Sequence, residues 1–334
     1  MAELSRRAVL RGAAAGAGLG LAGLPLLGST TASAAPAGFP TYRYVRTAFD
    51  KSKLSYAPAR KEVIFPCIRG TAGRIANPLG RYYLYYAPHD APGGICLSYS
   101  DSLEGPFIEY PNNPIVARTW SPHYNVSHVS SPHVIWNEAA QEMWLYFHGE
   151  NTTTRLARSK DGIHFTYDKV VLSTSMMPAG TTETSYARVF EHELTAKGSK
   201  YVMVFMINTT ANHRSIGWGR SVDGRTWVFS PNSLIRPEEV GSQNIGAPTV
   251  VHRNNSTYVI YHQDKGSGGK MLITEVGNDF TKRNHLGAFH LPLAGAPDNG
   301  RCAAASFGTM DGKEYMFYEA GERLQGAIAI ARAV

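Results

Sequence analysis

Val129-Ser130-Ser131-Pro132-His133-Val134-Ile135-Trp136, a polar turn over 137–142, and Met143-Trp144-Leu145-Tyr146-Phe147-His148-Gly149-Glu150 read as two short strands joined by a hairpin. Antiparallel pairing brings the start of the first beside the end of the second, so His133, His148 and Glu150 are expected on one sheet edge. The unit recurs. Phe65-Pro66-Cys67-Ile68, Tyr186-Ala187-Arg188-Val189, Ala247-Pro248-Thr249-Val250 and Ala304-Ala305-Ser306-Phe307 match Ser131-Pro132-His133-Val134, and each precedes an aromatic strand. Asp161-Gly162 and Asp223-Gly224 supply tight turns farther out, with Asp101-Ser102-Leu103-Glu104-Gly105 as a relative.

Five units of roughly 60 residues each match the period of four-stranded blades, so the expected fold is all-β, a five-bladed β-propeller. The last unit stops one strand short at Val334, and Thr41–Thr47 is expected to supply its outer strand and close the ring.

Ahead of the repeats, Arg6-Arg7 precedes a Gly/Ala-rich apolar run to Leu27, and Ala32-Ser33-Ala34 offers a small-residue cleavage site. Residues 1–34 therefore resemble a twin-arginine export signal, and 35–334 are expected to form the propeller, secreted or periplasmic and free of the membrane after cleavage. The run is too short and glycine-rich to suggest a spanning helix. Losing Arg6, Arg7, Arg11 and Glu3 lowers the formal charge from +7 to +5. No Lys/Arg run resembles a nucleic-acid patch, and a monomer is expected. Cys67, Cys96 and Cys302 lack zinc spacing; one disulfide, Cys67 with Cys302 or Cys96, or three buried thiols are the readings.

In a propeller the inner strands line the axis and the second strands end at the face where the first begin. One mouth should therefore collect Glu183, His133 and Arg188 from inner strands, with Glu150, Asp264 and Glu319 from loops, as catalytic candidates. Arg69, His89, His128, His148, Asn244, His262 and Gln263 join them as candidate substrate contacts. Trp120, in the non-alternating stretch Arg118–Tyr124, is expected to arch over that mouth and line a sugar subsite. Arg188 is expected to keep Glu183 ionised.

The blade grammar, from Tyr82-Tyr83-Leu84-Tyr85-Tyr86 to Ser100-Asp101-Ser102-Leu103-Glu104-Gly105-Pro106-Phe107, resembles the five-bladed propeller glycoside hydrolases of family 43 and relatives. The resemblance implies carboxylate chemistry on an oligo- or polysaccharide. The carboxylate set is incomplete, with Phe65 before Pro66 where the family places Asp and His133 where Asp often stands. Glu183 is the candidate base, with a second carboxyl from Glu150, Asp264 or Glu319. A polysaccharide lyase, neutralising a uronate with Arg69 or Arg188 and using a His or Tyr base, is the alternative, as is a glycan-binding propeller without catalysis. No cofactor and no catalytic metal are expected; a three-histidine site from His133, His148 and His262 has no supporting spacing, and the axial channel is the place for a structural Ca²⁺ or Na⁺ ion.

Overall fold

Aromatic and β-branched runs cut every five to ten residues by Gly, Asn, Asp or Pro can bury themselves only by pairing into short sheets that stack face to face. The computed structural model, which describes residues 35–334 except 265 and 267, shows five such sheets. Blade one is Ile64–Gly70, Tyr82–Ala87, Cys96–Ser100 and Ile108–Glu109, named from the axis outward. Blade two is Val129–Asn137, Glu142–Gly149, Thr153–Ser159 and Thr166–Ser173. Blade three is Thr181–Leu194, Ser199–Thr209, Ser215–Ser221 and Trp227–Phe229, and blade four is Ile245–Arg253, Ser256–Gln263, Met271–Glu275 and Asn284–His290. Each inner strand contacts the inner strands of both neighbouring blades, which closes the ring.

Blade five joins the ends of the ring. Cys302–Met310, Lys313–Ala320 and Ala327–Ala333 are completed by Tyr42–Thr47, with Tyr42 opposite Ala333 and Thr47 opposite Ala329. The Tyr42 hydroxyl also donates to Glu314, so the closing strand is fastened by its side chain as well as its backbone.

The Asp-Gly turns do more than reverse the chain. The Tyr85 hydroxyl of blade one donates to the Gly162 carbonyl of blade two at 2.8 Å, and Tyr146 of blade two repeats this on Gly224 of blade three at 2.9 Å. Both glycines have φ near +70°, and a Cβ on Gly162 would sit 2.7 Å from the Tyr85 oxygen. Glycine is thus required for the turn and for the close approach of the neighbouring blade. Cys67, Cys96 and Cys302 are all buried free thiols, so the packed-thiol reading holds and the disulfide does not form. No helix among the described residues is long and apolar enough to cross a membrane. The export signal lies outside the described residues.

Every inner strand carries the same irregularity. Phe65, Ser131, Tyr186, Ala247 and Ala304, the first residues of the five recurring quartets, all have left-handed backbone with φ between 44° and 58°. The pairing register slips at each of them, as a bulge does. One expectation falls here. Ser130 pairs with His148 but His133 pairs with Tyr146, because the bulge lies between them, so His133 does not share an edge with His148 and Glu150.

A chain lacking everything through Thr47 should lose the buried Tyr42 ring and the outer ladder of blade five, a destabilisation on the order of 5 kcal/mol. Chemical denaturation of the two chains checks it: equal midpoints would show that the closing strand is dispensable.

Candidate active site at the axial mouth

The bulges decide what reaches each end of the axis. Residues before them face the end where the inner strands start, and residues after them line a separate shaft toward the other end. At the first end lies a cavity of about 90 Å³, lined by Phe65, His89, Tyr186, Arg214, His262, Asp264 and others. Its floor is aromatic and apolar. Phe65 stacks on Tyr186 with ring centres 4.9 Å apart, and Met206, Ala247 and Ala304 pack beside them.

Tyr186 is the centre of the polar groups. Its hydroxyl lies 3.2 Å from His89 Nε2, and its backbone N–H points at His148 Nδ1 from 3.4 Å. Asp90 Oδ1 is 2.9 Å from His89 Nδ1, while the Arg323 guanidinium approaches the same nitrogen at 3.1 Å. Since a carboxylate can only accept, the proton on Nδ1 belongs to the bond with Asp90, which leaves Nε2 to accept from Tyr186. Burial pushes the Tyr186 hydroxyl pKa up, with the nearby Glu183 charge adding to it. His128 stacks on His89 with ring centres 6.2 Å apart, and its Nε2 meets Asn151 Oδ1 at 3.1 Å.

The carboxylates are unequal. Glu183, buried at the start of the blade-three inner strand, accepts from Ser185 Oγ at 2.9 Å and Asn208 Nδ2 at 3.4 Å, with Arg214 at 3.7 Å. Glu319 is buried under Arg301, whose Nη1 is 2.6 Å away. Asp264 lines the cavity, and its Oδ1 accepts from Ser242 Oγ at 3.3 Å. Asn244 ties this side of the mouth together, its Oδ1 accepting from the Arg214 N–H at 2.8 Å and its carbonyl from the Asp264 N–H at 3.1 Å.

Several expected members stand elsewhere. Arg188 is not beside Glu183. It crosses the shaft to donate to the carbonyls of Ala305 at 2.6 Å, Pro66 at 3.3 Å and Ala304 at 3.4 Å, so Arg214 is the cation at Glu183. His133 is buried in the shaft between Arg69 Nη2, 2.9 Å from Nε2, and the Val189 N–H, 3.1 Å from Nδ1. Glu150 is held in a fork by Arg155 at 3.1 and 3.2 Å and does not line the cavity. Trp120 sits on a two-residue hairpin against Tyr124 and Tyr167, not over the mouth. Gln263 is buried with an unpartnered Oε1 among the described residues. The shaft, within the axial channel named as a place for a Ca²⁺ or Na⁺ ion, is lined by Arg69 and Arg188. Among the described residues no three His, Cys, Asp or Glu side chains cluster as metal ligands, and His133 lines the shaft whereas His262 lines the mouth.

Arg214, Arg301 and Arg323 were missed by the sequence reading. Arg301 immediately precedes an inner strand, as Asn244 does in blade four, and Arg214 and Arg323 lie in loops that follow second strands.

No protein-family model and no curated protein matches the chain. Solved structures do share the fold. A glycoside hydrolase superposes with a TM-score of 0.63 at 15% identity, covering 90% of this chain and 92% of that one. A thermostable family-43 glycoside hydrolase gives 0.59 at 13%, covering 81% and 89%. An N-acetylgalactosamine deacetylase from F. plautii in complex with blood group B trisaccharide gives 0.57 at 15%, covering 88% and 94%. The five-bladed architecture implied by the sequence resemblance is therefore the one observed.

Burial pushes the His148 pKa well down, helped by His128, His89 and Arg155, and pushes His262 down to about 3, helped by Arg301 and Arg214. Both are neutral when folded and take up protons on unfolding below about pH 6.5. Their contribution is complete above that pH and is lost as pH falls, down to about pH 3 for His262. The melting temperature should thus fall between pH 7 and pH 4, with a shallower slope in His262→Gln; an identical slope in the variant would show that His262 titrates normally.

Proposed function

We propose that the protein is an exported glycoside hydrolase that cleaves an oligo- or polysaccharide at the axial mouth, with Glu183 and Asp264 as its carboxyl pair. The observation that carries this is the availability of Asp264. Of the three candidates for the second carboxyl, Glu150 is forked by Arg155, and Glu319 lines the cavity but is buried under Arg301, whereas Asp264 lines it with no arginine on it among the described residues. Glu183 stands at the start of the blade-three inner strand, just behind the cavity lining, where it accepts from Ser185 and Asn208 and lies 3.7 Å from the cavity-lining Arg214, contacts that suit a base or nucleophile. Asp264 then supplies the proton to the leaving oxygen. Phe65 and Tyr186 offer a flat apolar surface against which a sugar face can stack. The twin-arginine-like leader supports export, and the fold shared with solved glycoside hydrolases supports the substrate class.

The His89–Tyr186 hydrogen bond favours one second reading, β-elimination of a uronate-bearing glycan, in which Tyr186 would exchange a proton through His89. It ranks second because such a step needs a cation for the substrate carboxylate. Arg214, Arg301 and Arg323 each already have a carboxylate within 4 Å, at 3.7, 2.6 and 3.7 Å respectively.

A panel of neutral and uronic-acid glycans, followed by reducing ends and by absorbance near 235 nm, separates the readings. Hydrolysis yields reducing ends alone, and Glu183→Gln and Asp264→Asn should each lower kcat by about 10²-fold or more, the usual size of an acid–base contribution. An unsaturated product absorbing near 235 nm would transfer the assignment to elimination, and wild-type rates in both variants would remove the carboxyl pair.

A further inference from the structure

A second axial cavity lies at the opposite end of the axis. It measures about 300 Å³, at the lower end of the range for small-molecule sites, and is lined by Arg69, His133 and Arg188 together with Thr249, Ser306 and a set of aromatic rings. The rings are Phe39, Phe190, Phe289 and Phe307. Phe39 and Phe289 meet edge to face at 6.1 Å, as do Phe289 and Phe307, so three of these rings form one continuous wall.

The charges around this cavity do not balance. Arg253 and Glu314 lie 2.8 Å apart and neutralise each other, with the Tyr42 hydroxyl on the same carboxylate. Arg69 and Arg188 have no carboxylate partner among the described residues, and their hydrogen bonds go to neutral groups. Arg188 is only 3% exposed, so water does little to screen it. His133 adds no further charge, because burial and the two guanidiniums keep it neutral. Carbonyl dipoles satisfy N–H groups but not a net charge, and a buried cation, Arg188, beside a half-buried one, Arg69, on one cavity leaves a field that an anion would relieve. The mouth shows the contrast, since its arginines are all neutralised.

We propose that this cavity is a second binding site, for a small carboxylate with an apolar body, its carboxylate group between Arg69 and Arg188 and its body against the wall of Phe39, Phe289 and Phe307. The inference is independent of the reaction at the other end of the axis. A halide would satisfy the charge but leave the rings unused; a neutral aromatic would do the reverse. Both parts of the site are therefore separable by ligand choice.

The test uses sodium benzoate, benzamide and sodium chloride at matched ionic strength, read by thermal unfolding and calorimetric titration. Benzoate should raise the melting temperature progressively with its concentration, by roughly 5 °C at one hundred times its Kd, and benzamide should not. Arg69→Gln should weaken benzoate at least tenfold. A readout free of variants guards against misfolding: the Nε–H signals of Arg69 and Arg188 in the wild-type protein should shift with benzoate along the same saturation curve. Equal effects of benzamide and benzoate, saturation by chloride with nothing added by benzoate, unshifted arginine signals, or unaltered binding by a folded Arg69→Gln protein would each overturn the proposal.

Discussion

A single left-handed residue in each inner strand organises the axis. Phe65, Ser131, Tyr186, Ala247 and Ala304 hold a backbone conformation that costs an ordinary L-residue about 1–2 kcal/mol, and the ring holds it five times. A defect repeated with such regularity is a designed feature of the strand. It turns each strand as it approaches the mouth, and four of these side chains, Phe65, Tyr186, Ala247 and Ala304, meet as a partition across the axis. On one side of the partition lies a pocket rimmed by polar groups, and on the other a shaft with the guanidiniums of Arg69 and Arg188.

The partition also explains what the sequence made legible and what it hid. The quartets themselves could be aligned by eye, because Pro66, Pro132 and Pro248 mark the same position in three blades, and from that alignment the blade count and the completing role of Tyr42–Thr47 followed. The backbone sign at the first quartet residue has no such mark. Phe, Ser, Tyr and Ala all sit comfortably in ordinary strands, so nothing in their chemistry announces a bulge. Counting along straight strands therefore brought His133 to the wrong end of the axis and Arg188 to the wrong carboxylate. Loop residues fared better where the second strand runs straight into the mouth, as with His89, His262 and Asp264.

The two ends of the axis solve the problem of buried charge differently. At the mouth every arginine is matched to an acid, so the field there is local and directional, and neighbouring histidines are driven neutral mainly by burial. In the shaft Arg188 instead reaches carbonyls of blades one and five, binding three blades together through one side chain at the cost of an uncompensated charge. Mechanical cohesion and electrostatic openness thus come from the same residue.

The strand that completes blade five has a consequence for the order of events in the cell. Tyr42 leaves the ribosome long before Ala333, its partner in the sheet, has been translated. Until then the nascent chain carries an unsatisfied edge, and the ring can be sealed only after synthesis of the last strand. The rate of maturation should be governed by that long-range encounter, and the newly made chain is most open to unwanted pairing during the interval before it.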